Sequence, residues 1–362
     1  MSRCSVTPFS WYHHHSSKHI LSEALEFLNK TTKQRTKDTQ DTRCLLPQSE
    51  HIALRQRLWA LLLLIRPRQW TKNITVFIGI VFAQRLFNLA EFERTCLAFL
   101  TFCCISSCIY ILNDICDIEN DRHHPTKRKR PLASGQVSIP WALAALSGLF
   151  LGGMLFAGLL LFIPYPPRHD SYQSIGGANL LFVLTLAAYL AVMVLYNFWL
   201  KQVVLIDIFI IASGFVLRIL GGAFATPVHI SPWLVMVTCL LSLFLALSKR
   251  RNELVLLEGN ASNHRKILKE YSIPMLDQMI TIVVTCTIMA YSLYTVQGPT
   301  GNQRLTVTIP LVLYGIFRYL YLVYMKQEGG SPEEVLLRDR HLLLTVLICT
   351  ILIIGILYVI PG

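Results

Sequence analysis

Long apolar runs separated by short polar links make up most of the chain after residue 70. Each run has about 20 residues, the length that an α-helix needs to cross the hydrocarbon core of a bilayer. The preceding segment from Ile52 to Ile65 is also apolar but contains Arg55 and Arg57, which is typical of a helix at the membrane interface. The pattern predicts nine membrane spans, near residues 72–90, 94–112, 138–163, 178–198, 203–224, 231–248, 274–296, 305–325 and 341–360.

Composition supports a membrane protein. Hydrophobic residues make up 53% of the chain, and charged residues make up 15%, against about 25% in soluble domains. We therefore expect an all-α, multi-pass protein in contact with the lipid bilayer. The first 50 residues are polar and lack the apolar segment of a secretory signal. They predict a disordered extension at residues 1–50, ahead of a membrane domain at residues 51–362.

Basic residues predict how the chain is oriented in the membrane. Lysine and arginine in short links are retained on the cytoplasmic side, and a cytoplasmic N-terminus places most of these residues there. The basic residues that this topology places on the outer side are Arg85, Arg94, Arg168 and Arg304. The formal charge of +12 therefore forms a surface that attracts anionic headgroups or phosphorylated substrates. It gives no reason to expect a nucleic-acid partner.

The link after the second predicted span reads YILNDICDIENDRHHPTKRKRPLASG, from residue 110 to residue 135. If the helix continues to about residue 121, with 100° per residue, five polar side chains fall within an arc of roughly 100°. These side chains are Tyr110, Asn113, Asp114, Asp117 and Asp121. The three aspartates, here named the acid motif, would repel one another unless a cation neutralised them.

Two interpretations of the acid motif are open. It is either a solvated helix end that pairs with the following basic residues, or a catalytic metal site. Oxygen ligands without histidine or cysteine are those that Mg²⁺ prefers, which predicts a Mg²⁺ site formed by Asn113 and the acid motif. The basic run begins six residues later and supplies Lys127, Arg128 and Arg130. Because metal and base can bind the same phosphate, we favour the catalytic interpretation.

The motif NDICDIEND at residues 113–121, followed by HPTKRKRPLASG, is similar to the first aspartate-rich motif of the UbiA superfamily of intramembrane prenyltransferases. Within that superfamily the chain more closely resembles the decaprenyl-phosphate phosphoribosyltransferase branch. The stretches that carry this resemblance are IRPRQWTKN at 65–73, YNFWLKQVVLIDIFIIASGFVLRILGGA at 196–223, and the segment from SPWL to LALSKRRNEL at 231–254. The resemblance covers about residues 55 to 360.

The resemblance implies a nine-helix UbiA-type bundle whose active-site cavity faces the cytoplasm. The branch implies Mg²⁺-dependent transfer of 5-phosphoribose from 5-phosphoribosyl 1-diphosphate to a polyprenyl phosphate. It also implies a bacterial inner membrane and a role in making arabinose donors for the cell envelope. Polyprenyl chain length stays open, and so does the formation of a homo-oligomer.

The link after the sixth predicted span separates this branch from other family members. Prenyltransferases that act on aromatic acceptors carry a second aspartate-rich motif there. This chain instead has Lys249, Arg250, Arg251, Asn252 and Glu253. Cations in that position favour a second phosphate-binding surface that includes Lys249, Arg250 and Glu253. The alternative is ordinary cytoplasmic positive charge.

Further candidates lie at the first, fourth and fifth spans. Lys72 contacts either lipid headgroups or a substrate phosphate, and the resemblance favours the phosphate. Tyr196 and Lys201 lie in or beside the short link between spans four and five. On span five, Asp207 and Arg218 share a helix face. Such groups normally face a cavity or a partner, so Asp207 is a candidate for a cation or ribose hydroxyl, and Arg218 for a phosphate.

Three alternatives remain at the level of the sequence. Arg218 could instead extend to the outer interface, since about 16 Å of helix separates it from Asp207. The protein could transfer a prenyl group from a polyprenyl diphosphate to an aromatic acceptor. It could also be a transporter with Asp207 and Arg218 on a translocation path. A transporter predicts inverted internal repeats, and the sequence shows no convincing repeat.

Overall fold

Of this chain, the computed structural model describes residues 54–123, 127–164, 172–257, 270–297 and 303–359. The chain divides into two units, Met1–Gln56 and Arg57–Gly362, and the contacts below belong to the second. The predicted extension at residues 1–50 lies outside the described residues. Every regular element in the described ranges is helical, which confirms the all-α class for that part of the chain.

Twelve α-helices and several short 3₁₀ helices follow one another along the described ranges. The α-helices are α1 Leu54–Ile65, α2 Ile78–Phe82, α3 Leu89–Cys116, α4 Ile118–His123, α5 Ile139–Phe162, α6 Ala178–Phe198, α7 Ile206–Ala225, α8 Pro232–Leu257, α9 Ile273–Gln297, α10 Ile309–Met325, α11 Pro332–Arg338 and α12 Arg340–Tyr358. The 3₁₀ helices are Pro67–Phe77, Lys127–Lys129, Gln173–Ile175, Leu200–Gln202 and Gln303–Thr308.

Eight helices in the described residues are long and apolar enough to cross a membrane. They are α3, α5, α6, α7, α8, α9, α10 together with the 3₁₀ helix before it, and α12. They match the second to ninth predicted spans, with boundaries that differ by up to nine residues. The largest difference is at α8, which continues past the predicted end at residue 248 to Leu257. The chain is therefore a multi-pass membrane protein, whereas the count of nine stays a prediction.

The first predicted span, near residues 72–90, does not form one continuous helix. It contains most of the 3₁₀ helix Pro67–Phe77, the five-residue helix α2, and turns before α3 begins at Leu89. The side-chain hydroxyls of Thr71 and Thr75 donate to the carbonyl oxygens of Arg68 and Lys72, at 3.0 and 2.8 Å. These hydroxyls compete with backbone donors for carbonyls three residues earlier. The apolar pattern could not reveal this competition.

The helix ends that carry the predicted site residues lie together. Asn197 of α6 donates to the carbonyl oxygen of Ile109 in α3 at 3.4 Å. Lys201, between α6 and α7, forms an ion pair with Asp117. Arg250 of α8 forms an ion pair with Asp207 at the start of α7. These contacts bring the ends of α3, α6, α7 and α8 to one end of the bundle, which we name the site end.

The opposite end of the bundle is organised by one buried cation. The guanidinium of Arg94 is fully buried and donates to the carbonyl oxygens of Ala225 and Leu160 at 2.6 and 2.7 Å. It also donates to the carbonyl oxygen of Ile163 and to the side-chain oxygen of Asn179. Because α5 and α7 end here, Arg94 stabilises two helix C-termini, where the partial charge is negative.

Close packing places α7 directly against the 3₁₀ helix Pro67–Phe77. A Cβ atom added to Gly222 would lie 1.9 Å from the carbonyl oxygen of Val76, and one added to Gly221 would lie 2.5 Å from the ring of Phe102. A larger side chain at Gly222 would therefore separate the two segments. This contact matters for the site because Arg218 of α7 and Lys72 of the 3₁₀ helix are carried by these segments.

Candidate active site

The acid motif spans a break in the helix. Helix α3 ends at Cys116, and Asp117 follows as its C-terminal cap before α4 begins at Ile118. The expectation of one helix to residue 121 is therefore wrong. The backbone N–H groups of Asp117 and Asp121 nevertheless donate to carbonyl oxygens four residues earlier, at 2.9 and 2.8 Å. These bonds maintain the helical spacing of the acids across the break.

Two of the three acids converge on one arginine. A guanidinium nitrogen of Arg130, Nη1, lies 3.1 Å from Asp114 Oδ1 and 2.5 Å from Asp121 Oδ2. The side chains of Asp114 and Asp121 are 2% and 5% exposed, so they are not a solvated helix end. The pairing with a following basic residue is nevertheless real, because Arg130 returns to the acids.

The third acid has a different partner. Lys201 Nζ lies 2.9 and 3.2 Å from the two carboxylate oxygens of Asp117. The sequence therefore identified both members of this pair, although they are 84 positions apart. Lys127 is half-buried and Arg128 is exposed on the short 3₁₀ helix beside them.

Arg66 is a site residue that we did not select from the sequence. Its Nη2 lies 2.5 Å from Asp114 Oδ1, and its guanidinium carbon lies 5.4 Å from the ring centroid of half-buried Tyr110. Its backbone is left-handed, with φ 57° and ψ 59°, which costs a non-glycine residue about 1–2 kcal/mol. The one signal in the sequence was Pro67, because a proline disfavours the right-handed helical conformation in the residue before it.

Glu333 is a second residue that the sequence did not identify. Its Oε1 accepts a hydrogen bond from Gln69 Nε2 at 2.7 Å and lies 3.4 Å from Lys72 Nζ. Burial by itself raises the pKa of Glu333, but the charge of Lys72 and the hydrogen bonds it accepts outweigh burial. The pKa of Glu333 is therefore below its ordinary value. Lys72 thus lies beside a carboxylate of the protein, with 27% of its side chain still exposed.

Arg218 is directed into the bundle, so its extension to the outer interface is wrong. It is 5% exposed, and its guanidinium donates to Asn73 Oδ1 and the Tyr189 hydroxyl, both at 2.6 Å. A third bond runs to the carbonyl oxygen of Gly214 at 2.8 Å. Arg218 therefore joins α7 to α6 and to the 3₁₀ helix that carries Lys72.

Asp207, at the start of α7, and Arg250 of α8 form a buried ion pair. Arg250 Nε donates to Asp207 Oδ2 at 2.6 Å, and the Tyr271 hydroxyl donates to Asp207 Oδ1 at 2.9 Å. Arg250 also contacts Glu253. Asp207 has no exposed surface, and both of its oxygens accept bonds from the protein. The structure therefore gives Asp207 the task of orienting Arg250, which differs from the expected contact with a cation or ribose. Lys249 and Tyr196 are half-buried at the same end.

A cavity of about 600 Å³ lies between α9 and α10. Its lining is mainly apolar and consists of Ile280, Thr281, Val284, Thr285, Ile288, Phe317, Leu320, Tyr321 and Tyr324. None of the predicted site residues contributes to it. The chemistry of the acid motif is thus separate from this cavity, and the predicted active-site cavity stays a prediction.

A family model described as the UbiA prenyltransferase family matches residues 73–338. These include the acid motif and the basic residues Lys249, Arg250 and Arg251, which lie within α8 and not in the link expected from the sequence. The chain belongs to the UbiA prenyltransferase family. Among its UbiA relatives is decaprenyl-phosphate phosphoribosyltransferase of Mycolicibacterium smegmatis, 33% identical over 291 residues, which cover 77% of this chain and 86% of that protein. The Mycobacterium tuberculosis protein of the same name is 32% identical over 292 residues, covering 78% and 89%.

Solved UbiA structures share the fold. A UbiA homologue from Archaeoglobus fulgidus, bound to GPP and Mg²⁺, superimposes with a TM-score of 0.60 at 14% identity, covering 82% of this chain and 98% of that one. Digeranylgeranylglyceryl phosphate synthase gives 0.55 at 21% identity, with coverages of 83% and 98%. The eight membrane-length helices therefore belong to a UbiA-type bundle, and the chain is a UbiA-type transferase.

The donor groups of the acid motif fit Mg²⁺, the cation bound with GPP in the Archaeoglobus fulgidus homologue. Asp114 and Asp121 already share one positive group, Nη1 of Arg130. Three carboxylates and the amide of Asn113 supply oxygen ligands of the type that Mg²⁺ prefers. In the described residues, the acids are paired with arginine and lysine and are not gathered as a group of three potential metal ligands. The fit is therefore one of donor chemistry.

Proposed function

We propose that this protein transfers a 5-phosphoribosyl group from 5-phosphoribosyl 1-diphosphate to a polyprenyl phosphate and releases diphosphate. The observation that carries the proposal is that two charged surfaces meet at the site end. The first is the acid motif with Arg130 and Lys201, and the second is formed by Lys72, Arg218 and Lys249. Arg66 belongs to both, because it pairs with Asp114 and lies within electrostatic range of Lys72. Two neighbouring surfaces for phosphate suit a reaction in which both substrates carry phosphate. The relatives named decaprenyl-phosphate phosphoribosyltransferase support this choice.

The acid motif provides the diphosphate side of the proposed site. Asn113, Asp114, Asp117 and Asp121 are the residues that would hold Mg²⁺, and the bound ion supplies positive charge to the departing diphosphate. Arg130 and Lys201 touch these acids, so they are placed to contact phosphate oxygens bound there. Lys127 and Arg128 supply further positive charge on the same link.

The second surface provides the monophosphate side. Lys72 interacts electrostatically with Arg218 and Lys249, and both lysines interact with Glu333. The three cations come from three different segments of the chain. Arg250 is buried next to Lys249 and adds positive charge behind this surface, and Asp207 and Glu253 fix its orientation. Tyr110 and Tyr196 are proposed contacts at its margin. A guanidinium or ammonium at each position binds a phosphate oxygen through a charge-assisted hydrogen bond.

The bond changes in this reaction balance without an added oxidant or base. An oxygen of the lipid phosphate forms a bond to ribose C1, and the bond from C1 to the diphosphate oxygen breaks. Diphosphate leaves with the electron pair. A phosphate monoester is already ionised near pH 7, so the chain does not need a strong general base. Its cations stabilise the charge that moves to diphosphate.

Prenyl transfer to an aromatic acceptor is the main competing function. It suits the GPP-bound relative, but Arg250 occupies the segment where the resemblance leads us to expect a second acidic motif. A transporter is less well supported, because it predicts inverted internal repeats and the sequence shows no convincing repeat that would contain Asp207 and Arg218. Neither residue lines the cavity between α9 and α10.

The proposal is tested with the purified full chain in detergent. It would be incubated with Mg²⁺, polyprenyl phosphate and 5-phosphoribosyl 1-diphosphate labelled in the ribose. The expected result is label in the lipid phase, with equimolar release of diphosphate. A lipid phase without label, from folded protein, would overturn the proposed function. We place the site on the cytoplasmic side of a bacterial inner membrane, where the sugar diphosphate is available.

A further inference from the structure

Glu333 stands out because it is an acid that enters a positively charged surface from a distant part of the chain. It lies in the seven-residue helix α11, between α10 and α12. The two side chains that it contacts, Gln69 and Lys72, belong to the 3₁₀ helix. Residues three apart in a 3₁₀ helix project to the same side, so one carboxylate reaches both. The Glu333 side chain is 14% exposed.

The charges around Lys72 explain why an acid is needed. Arg66 precedes the 3₁₀ helix, Arg218 comes from α7, and Lys249 comes from α8, and each interacts electrostatically with Lys72. All three are cations, so they disfavour a fourth positive charge. Among the described residues, Glu333 is the acid that forms an ion pair with Lys72.

Lys72 and Lys249 are the cations in this group that are able to lose their charge, and Lys72 is the one whose ammonium nitrogen lies 3.4 Å from Glu333. Lys72 lies in the 3₁₀ helix, outside the eight membrane-length helices. Burial lowers the pKa of Lys72, the carboxylate of Glu333 raises it, and Arg218 and Arg66 lower it further, so the pKa lies below its ordinary value. Arginine keeps its charge at any accessible pH. Because Glu333 contacts Lys72 directly, its removal weakens the charge of Lys72 more than that of Lys249.

We propose that Glu333 is a positioning residue that keeps the ammonium group of Lys72 charged and oriented to bind a phosphate monoester. The inference rests on the proposed function, because it identifies the second surface as a monoester subsite. The monoester is either the 5-phosphate of the sugar or the headgroup of the polyprenyl phosphate. Gln69 holds the carboxylate of Glu333 in place.

Binding measurements on the full chain in detergent test this inference. Ribose 5-phosphate represents the sugar, and geranyl phosphate represents the lipid. Dissociation constants would be measured at about pH 7 and about pH 9 for the wild type, Glu333→Gln and the control Glu334→Gln. Glu334 is the exposed neighbour in α11. Comparison with the wild type at each pH removes the titration of the ligand itself from the result.

The expected result is a pH-dependent loss of affinity in Glu333→Gln. Each unit by which the pKa of Lys72 falls below the pH reduces its charged fraction about tenfold. One of the two ligands should bind more weakly than to the wild type, and the fold-loss in affinity should be larger at the higher pH than at the lower pH. Glu334→Gln should match the wild type. The double variant Lys72→Arg, Glu333→Gln should recover binding at the higher pH, since guanidinium stays charged.

Two outcomes would overturn the inference. One is a Glu333→Gln variant that follows the wild-type pH dependence for both ligands. The other is an equal loss at both pH values, which indicates a structural role alone. If Glu333→Gln does not fold, Gln69→Leu removes the bond that holds the carboxylate, and should give the same pH dependence with a loss of about threefold.

The failure of the proposed function is distinguishable from the failure of this inference. If the wild type binds neither monoester, the monoester subsite does not exist and the inference is wrong. If the expected pH dependence of binding is found but no ribose label reaches the lipid, only the proposed transfer reaction is overturned. Binding and transfer are therefore read separately.

Discussion

The buried pair of Asp207 and Arg250 allows a quantitative prediction. The Asp207 side chain has no exposed surface, and that of Arg250 is 2% exposed. Substitution of Asp207 by Asn keeps the shape of the side chain but removes the negative charge that compensates the buried guanidinium of Arg250. Breaking such a buried pair costs about 3–5 kcal/mol. Since Glu253 still contacts Arg250, we expect a loss near the lower end, about 3 kcal/mol.

Thermal unfolding of the detergent-purified protein measures this loss. One kcal/mol lowers the midpoint by about 2–4 °C in domains of 150–250 residues, so a loss of about 3 kcal/mol in Asp207→Asn should lower it by about 6–12 °C. The matched control is Asp277→Asn. Asp277 also pairs with an arginine, Arg251, but its side chain is 34% exposed, and such pairs contribute about 0–1 kcal/mol. Equal shifts for the two variants would refute the reasoning from burial.

Three further predictions concern the acid motif and the opposite end of the bundle. Asp117→Ala should reduce transfer by at least about 100-fold with little change in thermal midpoint. The control Glu119→Ala, at an exposed position of the same link, should keep full activity. An active Asp117→Ala enzyme would contradict the metal assignment. A chelator should abolish transfer, and added Mg²⁺ should restore it; activity that survives complete chelation would exclude a required divalent ion. Arg94→Gln should lower the thermal midpoint by more than about 5 °C, because it weakens charged bonds to carbonyl groups of two helices. In assays below that midpoint, it should leave the KM of both substrates unchanged.

The long membrane helices could be predicted because hydrophobicity over 20 residues is a local property of the chain. The end of α3 at Cys116 and the interrupted first span could not, because they depend on the cap at Asp117 and on threonine hydroxyls that bond to the backbone. A run of apolar residues contains neither signal. Hydropathy therefore locates a span without giving its internal geometry.

The candidate site shows the same limit for contacts between distant positions. Asp114 and Arg130 could be associated because they lie 16 positions apart on one link. Gln69 and Glu333 are 264 positions apart, and no local pattern relates them. Arg66 was present in a quoted motif, but its left-handed backbone is what directs its guanidinium to Asp114. These contacts emerge only when the helices are packed.

The central claim is that the site end joins two phosphorylated substrates. The most direct test compares two substrate pairs on the same purified protein with Mg²⁺. One pair is polyprenyl phosphate with 5-phosphoribosyl 1-diphosphate, and the other is polyprenyl diphosphate with an aromatic acid. We predict ribose label in the lipid from the first pair and no prenylated acid from the second. Prenylated acid from the second pair, with no ribose transfer from the first, would contradict the claim.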